Sequence, residues 1–194
     1  MYAMQTHTPL PTAGFAHPAR NVRALGIDPG MIVADFGSGS GAYVLLIAAA
    51  LQGVGRVYAV DIQRDLLRRT NTEATGKGFS NVEVVWADLE KPGASKIADG
   101  ALDLVLVSNL LFQLENKKNM LAESLRILHP GGRLAIIDWQ ESFGGMGPQK
   151  GDVVTKDKAL SLAKDVGYEY QREFAAGAHH YGLIFSKPLA RKNI

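Results

Sequence analysis

The sequence contains no cysteine among its 194 residues. This absence excludes disulfide frameworks, thiolate zinc sites, iron–sulfur clusters and every mechanism that uses a cysteine nucleophile. It also agrees with a reducing compartment, so we expect a cytoplasmic location.

Long apolar runs are lacking as well. The longest, residues 42–51, is about half as long as the roughly 18–20 residues that a membrane span requires. Residues 1–18 have neither the basic region nor the apolar region of a signal peptide. We therefore expect no membrane span.

Neither sign of charge is in large excess, because 21 Lys and Arg residues oppose 19 Asp and Glu residues. Nucleic-acid-binding domains often have a larger basic excess, so this balance neither requires nor excludes a polyanionic partner. With 46% hydrophobic and 21% charged residues, the composition is that of a globular protein. The length suits one domain, which we place at 18–188, between an N-terminal arm or lid at 1–17 and a tail at 189–194.

Strand and helix signals alternate along the chain, which predicts an α/β fold with a mostly parallel sheet. The predicted strands are 31–36, 56–60, 82–86, 102–107, 133–137, 168–174 and 181–186. The predicted helices are 18–25, 42–51, 64–75, 116–128 and 156–166. Residues 175–180 join the last two strands, and so short a connection permits only antiparallel neighbours. We also expect a loop with a short helix at 89–100 and a turn at 130–132.

A glycine-rich loop follows the first predicted strand and reads Asp-Phe-Gly-Ser-Gly-Ser-Gly-Ala from Asp35. Gly37, Gly39 and Ala42 fit the dinucleotide fingerprint G-x-G-x-x-G/A. Asp35 and the glycines up to Gly41 fit the D-x-G-x-G-x-G loop of enzymes that bind S-adenosylmethionine (SAM). Both patterns use glycine because a ligand approaches the backbone closely there.

Asp35 favours the second pattern. A dinucleotide places its diphosphate at this turn, over the N-terminus of the following helix, where a carboxylate would repel it. SAM has no phosphate, and the ammonium of its methionine part attracts a carboxylate, directly or through water. The alternative is that Asp35 only caps the turn.

Two more carboxylates follow neighbouring strands. Asp61 ends the second strand and can accept hydrogen bonds from both ribose hydroxyls of NAD or of SAM. Asp88 ends the third strand and can accept from the adenine amino group, while Ile62 and Leu89 can enclose the ring. The alternative for either acid is a solvent-exposed carboxylate at a strand end that binds no ligand. Together with Asp35 they suit a cationic sulfonium better than a polyanion, at the edge where open α/β sheets bind ligands.

On these residues the sequence resembles the class I SAM-dependent methyltransferases. The residues that carry the resemblance are 35–41, Asp61, Asp88, Ser-Asn-Leu-Leu at 108–111 and Leu-His-Pro-Gly-Gly-Arg-Leu at 128–134. The resemblance covers roughly residues 18–187. It implies a three-layer α-β-α sandwich whose seven-stranded sheet has the order 3-2-1-4-5-7-6, with the last strand antiparallel.

The resemblance also implies SAM as cofactor, with S-adenosylhomocysteine as product. The implied cofactor-binding residues are Asp35, Gly37, Ser38, Gly39, Gly41, Asp61, Ile62, Asp88, Leu89 and Asn109. The implied reaction is an in-line displacement that moves the methyl group to an acceptor, for which a small molecule is favoured over a protein or RNA. Positioning is the main task in such a reaction, so no nucleophile motif is required.

The sequence lacks the motifs of several methyltransferase types, and each absence excludes a kind of methyl transfer or makes it less expected. Ser108 stands where the metal-dependent catechol type has an acid, so we expect no metal. The Asn/Asp-Pro-Pro-Tyr/Phe signature of amino-directed methyltransferases is absent at 108–111. The lack of cysteine also excludes thiol-dependent cytosine-C5 methylation and thiol-assisted arsenic methylation.

A protic acceptor requires a base that takes its proton. Asp138 is the first candidate and His179 the second, and Glu141 and His180 also follow strand ends, although each could have a structural role instead. Two other functions stay open. One is an NAD(P)-linked oxidoreductase, which Asp35 opposes, and the other is a SAM-binding module without catalysis.

Overall fold

The computed structural model describes residues 16–189, so the predicted arm and tail lie almost entirely outside the described residues. The strands are β1 (Ile32–Phe36), β2 (Arg56–Asp61), β3 (Val82–Trp86), β4 (Leu102–Ser108), β5 (Leu128–Trp139), β6 (Glu169–Gly177) and β7 (His180–Ser186). The helices are α1 (Pro18–Leu25), α2 (Ala42–Ala50), α3 (Arg64–Gly76), α4 (Lys117–Ile127) and α5 (Lys156–Val166).

The seven strands form one sheet in the order β3-β2-β1-β4-β5-β7-β6. The first five strands pair in parallel, whereas β7 is antiparallel to both β5 and β6. The predicted order and the predicted antiparallel last strand are therefore confirmed.

Helices cover both faces of the sheet and complete three layers. On one face, Met120 and Leu121 of α4 and Ala159 of α5 pack into a buried apolar cluster. On the other face, Leu25 of α1 and Ile47 of α2 belong to a second cluster. The central strands are buried on both faces, which explains their continuous apolar sequence. Across residues 16–189, no helix combines the length and apolar character needed to cross a membrane.

The predicted start of β5 at Arg133 is wrong, because β5 begins at Leu128. The predicted turn at 130–132 persists as an irregularity inside the strand, where the register with β4 shifts and Gly131 has a left-handed φ of 84°. Leu128 pairs with Leu102 of β4, so the pairing starts directly after α4, and the next β4 partner is Arg133 opposite Leu104. On the other side, Gly131 N–H donates to the Lys187 carbonyl at 2.9 Å. Pairing with β4 and β7 on either side of Pro-Gly-Gly therefore places this turn within the strand, as a bulge.

Two loop predictions also need correction. The connection between β6 and β7 is a two-residue turn, Ala178–His179, and not the whole of 175–180, because the hydrogen-bonded hairpin continues to Gly177 and His180. Residues 89–100 contain turns but no helix. A short 3₁₀ turn at Leu111–Gln113 was not predicted.

Helix α1 runs from the carboxyl edge of the sheet towards the opposite edge. Near its start, the Asn21 amide donates to the Tyr43 hydroxyl at 2.9 Å and to the Ala176 carbonyl at the end of β6 at 3.0 Å. At its other end, Arg133 donates to the Leu25 carbonyl at 2.7 Å. The first turn of α1 therefore lies beside the carboxyl edge.

A buried carboxylate holds the loop that precedes β4. Glu123 of α4 accepts from Ser95 N–H at 3.1 Å and from Gly93 N–H at 3.1 Å. Arg126 pairs with the same carboxylate at 2.7 Å and also contacts Asp99. Burial by itself raises the pKa of Glu123, but the hydrogen bonds from Arg126 and Ser95 hold it below its usual value. The pair thus ties the loop to α4 as an ionised network.

We expect Arg126→Met to lower the free energy of unfolding by about 2 kcal/mol, because it leaves the Glu123 carboxylate buried without its cation. Urea unfolding at neutral pH measures the loss. The control is Lys118→Met, which removes the exposed pair with Asp165 at 3.0 Å and should cost less than about 1 kcal/mol. Equal losses in the two variants would contradict this role of Arg126.

Candidate functional site

A cavity of about 320 Å³ opens at the carboxyl edge of the sheet, between the glycine loop and the turns that follow β2, β3 and β4. Its lining is Gly37, Gly39, Asp61, Ile62, Gln63, Ala87, Asp88, Leu89, Glu90, Leu110, Gln113 and Leu114. Six of the predicted cofactor-binding residues belong to this lining. Asp35, Ser38, Gly41 and Asn109 do not, although each lies in the glycine loop or at the end of a strand beside it.

The glycine loop has left-handed backbone that only glycine adopts easily. Gly37 has a φ of +71°, and a Cβ there would lie 2.8 Å from a Leu110 methyl carbon. Gly41 has a φ of +79°, but a Cβ there would meet the Thr70 side chain of α3 at 2.7 Å. Gly37 thus permits the close approach of the turn after β4, whereas Gly41 permits the packing of α3.

Asp61 connects the end of β2 to the glycine loop. Its Oδ2 accepts from Gly39 N–H at 2.8 Å, and its Oδ1 accepts from Gln63 N–H at 2.8 Å. Each carboxylate oxygen has a further lone pair. Asp61 can therefore hold the loop and accept from a ligand hydroxyl at the same time.

Two more carboxylates line the cavity. Asp88 lies 3.2 Å from the exposed ammonium of Lys91. Glu90 accepts from the backbone N–H groups of Glu115 and Asn116 at 3.0 and 3.1 Å, just before α4. Among the described residues, no Lys, Arg or His lines this cavity. Its charged groups are all acidic, which suits a cation and opposes a diphosphate.

Asp35 lies buried beneath the loop, in the register position beside Ala59 of β2. Burial raises the pKa of Asp35 to about 8, and the nearby Asp61 carboxylate adds to the increase. At neutral pH the Asp35 carboxyl is therefore mostly protonated, and a cation that came close would favour its ionised form.

The turn after β4 is fixed by backbone contacts. Asn109 has a left-handed φ of 53°, its N–H donates to the Ile137 carbonyl at 2.8 Å, and its carbonyl accepts from Gln113 at 2.7 Å. Its side-chain Oδ1 is buried, as is the Ser38 hydroxyl oxygen, and neither has a hydrogen-bond partner within residues 16–189. Buried polar atoms are rarely left unpaired, so these two suit a polar ligand beside the loop.

Asp138, the first predicted base, is buried at the end of β5. Its Oδ2 accepts from Leu111 N–H at 2.9 Å and its Oδ1 accepts from Trp139 N–H at 2.8 Å. Burial raises the pKa of Asp138 to about 7, although these backbone donors oppose the increase. Both oxygens thus contact backbone, and one of them holds the 3₁₀ turn after β4.

The two histidines of the β6–β7 turn lie in different surroundings. The His179 Nδ1 is 2.8 Å from the Glu141 carboxylate, and its ring stacks on Phe143 with 3.7 Å between the ring centroids. His180 is buried against Trp139, and burial, with His179 nearby, lowers its pKa to about 4. His179 is therefore the more accessible imidazole.

Sequence reasoning did not identify part of the cavity wall. The missed residues are Gln63, Ala87, Glu90, Leu110, Gln113 and Leu114. Gln63 and Ala87 adjoin predicted site residues and could have been included on position alone. Leu110 belongs to the 108–111 motif and could have been included on that basis. Gln113 and Leu114 depend on the 3₁₀ turn, which a contact with the distant Asp138 stabilises, so no local signal marks them.

Known proteins resemble the chain over most of the described fold. A family model for a methyltransferase domain matches residues 27–176. The ubiquinone/menaquinone biosynthesis C-methyltransferase UbiE of Hydrogenovibrio crunogenus is 32% identical over 117 residues, which cover 60% of this chain and 45% of that protein. An arsenite methyltransferase of Aquipseudomonas alcaligenes is 32% identical over 140 residues, which cover 66% of this chain and 40% of that protein.

Among solved structures, a SAM-dependent methyltransferase from Aquifex aeolicus superimposes with a TM-score of 0.80 and 25% identity, over 89% of this chain and 90% of that one. The chain matches less than half the length of the two curated relatives named above. The family match covers more than half of the chain and includes the glycine loop and the strands that form the cavity. The chain therefore belongs to the methyltransferase-domain family of SAM-dependent enzymes, as the sequence predicted.

Proposed function

We propose that this protein transfers the methyl group of SAM to a small-molecule acceptor. The observation that carries the proposal is the cavity beside the glycine loop, whose charged lining residues are all carboxylates. The sulfonium of SAM supplies an activated methyl group, and the chain has to bind, orient and shield it. A dinucleotide would place a diphosphate against the same carboxylates, which opposes the oxidoreductase alternative.

The adenosine part fits the end of the cavity formed by the turns after β2 and β3. Ile62 and Leu89 supply apolar walls for the adenine ring, and Asp88 supplies an acceptor for its amino group. Asp61 is placed for the ribose hydroxyls, since its two backbone contacts leave lone pairs on both oxygens.

The methionine part fits the side of the loop where Ser38 and Asn109 have unpartnered polar atoms. Asp35 lies beneath this side and supplies negative charge for the ammonium when its proton leaves. We do not assign Gly41 a direct contact, because its lack of a side chain is explained by Thr70.

His179 is the base that we propose for the acceptor proton. Glu141 accepts from Nδ1 of the ring, which places the basic lone pair on Nε2. Asp138, whose oxygens both contact backbone, acts instead by holding the turn after β4. The carboxyl edge of the sheet thus binds the cofactor at β1–β3 and accepts the proton at β5–β7.

The names of the relatives bear on the acceptor. One relative is a C-methyltransferase of ubiquinone and menaquinone biosynthesis, which supports an organic ring as acceptor. The other is an arsenite methyltransferase, but these 194 residues contain no thiol that would bind arsenic(III). The aromatic ring of Phe143 beside His179 also suits an organic ring.

Asp61→Asn should weaken SAM binding by at least about tenfold, because the amide cannot accept from both ribose hydroxyls and hold both backbone N–H groups. Isothermal titration calorimetry measures the dissociation constant. Asp65→Asn is the control, because Asp65 is exposed on α3 and pairs only with Arg68 among the ion pairs of the described residues. Unchanged affinity in Asp61→Asn would overturn the proposed position of the ribose.

SAM binding should release up to about one proton per molecule at a pH about one unit below the Asp35 pKa. The carboxyl is protonated there because its pKa is about 8, and the bound cation lowers that pKa. Affinity should therefore rise with pH towards this pKa and stop rising above it, where the Asp35 carboxyl is already ionised and the SAM ammonium loses its own proton. Calorimetry in buffers of different ionisation enthalpy measures the number of protons released when SAM binds. In Asp35→Asn, SAM binding should release no proton from this position.

A screen of phenols and hydroquinones with radiolabelled SAM tests for methyl transfer. With an acceptor found in this way, His179→Ala should lower kcat roughly 100-fold and leave SAM affinity unchanged, because only proton transfer is lost. His129→Ala is the control, since His129 pairs with Asp103 at the opposite edge of the sheet. An unchanged kcat in His179→Ala would assign the base to another group.

A further inference from the structure

The edge strand β3 ends in an exposed aromatic residue that the proposed reaction does not use. Trp86 leaves 51% of its surface exposed, so its burial contributes little to the core. Its side chain nevertheless makes two specific contacts. The indole Nε1–H donates to the Ile62 carbonyl at 2.8 Å, and the Arg64 guanidinium lies 4.0 Å from the centroid of the ring.

Both contacts fall on the turn between β2 and α3. Trp86 is the register partner of Asp61, the last residue of β2, and Arg64 is the first residue of α3. Ile62 and Gln63, between them, line the cavity. The indole therefore binds the outer side of a two-residue segment whose inner side faces the proposed adenosine position.

The same segment is held from the inner side by Asp61. Its Oδ1 accepts from Gln63 N–H at 2.8 Å, and its carbonyl accepts from Ala87 N–H at 3.1 Å. The Gln63 N–H and the Ile62 carbonyl belong to one peptide, so Asp61 and Trp86 hold this peptide from its two sides. A rotation of this peptide would move the Ile62 side chain, more than half exposed, relative to Leu89 on the facing wall.

We propose that Trp86 is a positioning residue for the adenosine part of the cofactor. It acts through Ile62: the indole N–H fixes the peptide that sets the distance between the two apolar walls. Arg64, stacked on the indole by a cation–π contact, anchors the first turn of α3 to the same ring. This inference rests on the adenosine position given under the proposed function.

The matched control is Tyr170 on β6, the other edge strand of the sheet. Tyr170 is also 51% exposed, and it packs edge-on against Phe185, away from the cavity. Replacing either aromatic residue removes a similar exposed surface, but only Trp86 contacts the turn after β2. A difference between the two positions therefore reports the contacts of Trp86 and not the loss of an exposed ring.

The experiment uses the full chain and two ligands, S-adenosylhomocysteine and 5′-methylthioadenosine, which lacks the amino acid part. Trp86→Phe removes the indole N–H and keeps a ring for Arg64, so we expect both ligands to bind about fivefold more weakly. Trp86→Leu removes both contacts and should weaken the binding of both ligands by roughly tenfold or more.

The affinity of the control Tyr170→Leu for both ligands should stay within about twofold of that of the unchanged protein. Without ligand, Trp86→Phe should melt no lower than Tyr170→Leu.

Three results would overturn the inference. The first is that both Trp86 variants bind the two ligands with affinities within about twofold of the unchanged protein. The second is that a Trp86 variant loses affinity for S-adenosylhomocysteine but not for 5′-methylthioadenosine. The third is that Trp86→Phe has a lower melting temperature than Tyr170→Leu. The Asp61→Asn variant separates this failure from failure of the proposed function. If Asp61→Asn weakens binding and the Trp86 variants do not, only the role of Trp86 is wrong.

Discussion

The hydrogen bond between the Asp61 carboxylate and Gly39 N–H joins the two segments on which the site depends. Asp61 ends β2, and Gly39 lies in the loop between β1 and α2, so the bond fixes the loop against the neighbouring strand. Through its other oxygen, Asp61 also holds the start of the turn that leads to α3. One carboxylate thus sets the shape of the cavity before any ligand is present, and a preformed shape reduces the ordering that binding requires.

Electrostatics restrict what this shape can bind. Burial raises the pKa of the Asp35 carboxyl to about 8, and the nearby Asp61 carboxylate adds to the increase. The free protein lowers this repulsion by protonating Asp35, and a cationic ligand would lower it by direct attraction. In the proposed function, the cavity discriminates by charge as well as by shape, and the proton on Asp35 links the affinity for SAM to pH.

Away from the cavity, buried carboxyl groups hold the turns on both sides of β4, whereas the proposed acceptor side is more exposed. The buried carboxyl of Asp138 holds the 3₁₀ turn after β4, and Glu123 with Arg126 holds the loop before β4. His179 and Phe143 lie on turns at the ends of β5 and β6, where the chain is more exposed. Exposed turns on a packed scaffold can change in sequence without disturbing the scaffold.

The sequence by itself determined the alternation of strands and helices, the glycine loop and the acids at three strand ends, because periodicity and turn chemistry are local properties. Through resemblance it also led to the sheet order. Only the tertiary structure decided that Gly41 accommodates Thr70, that Asp138 contacts backbone and that Leu110 and Leu114 form a wall. The same is true of Leu128, which joins β5 by pairing with Leu102. These outcomes depend on register and packing between residues far apart in sequence, and no local pattern encodes them.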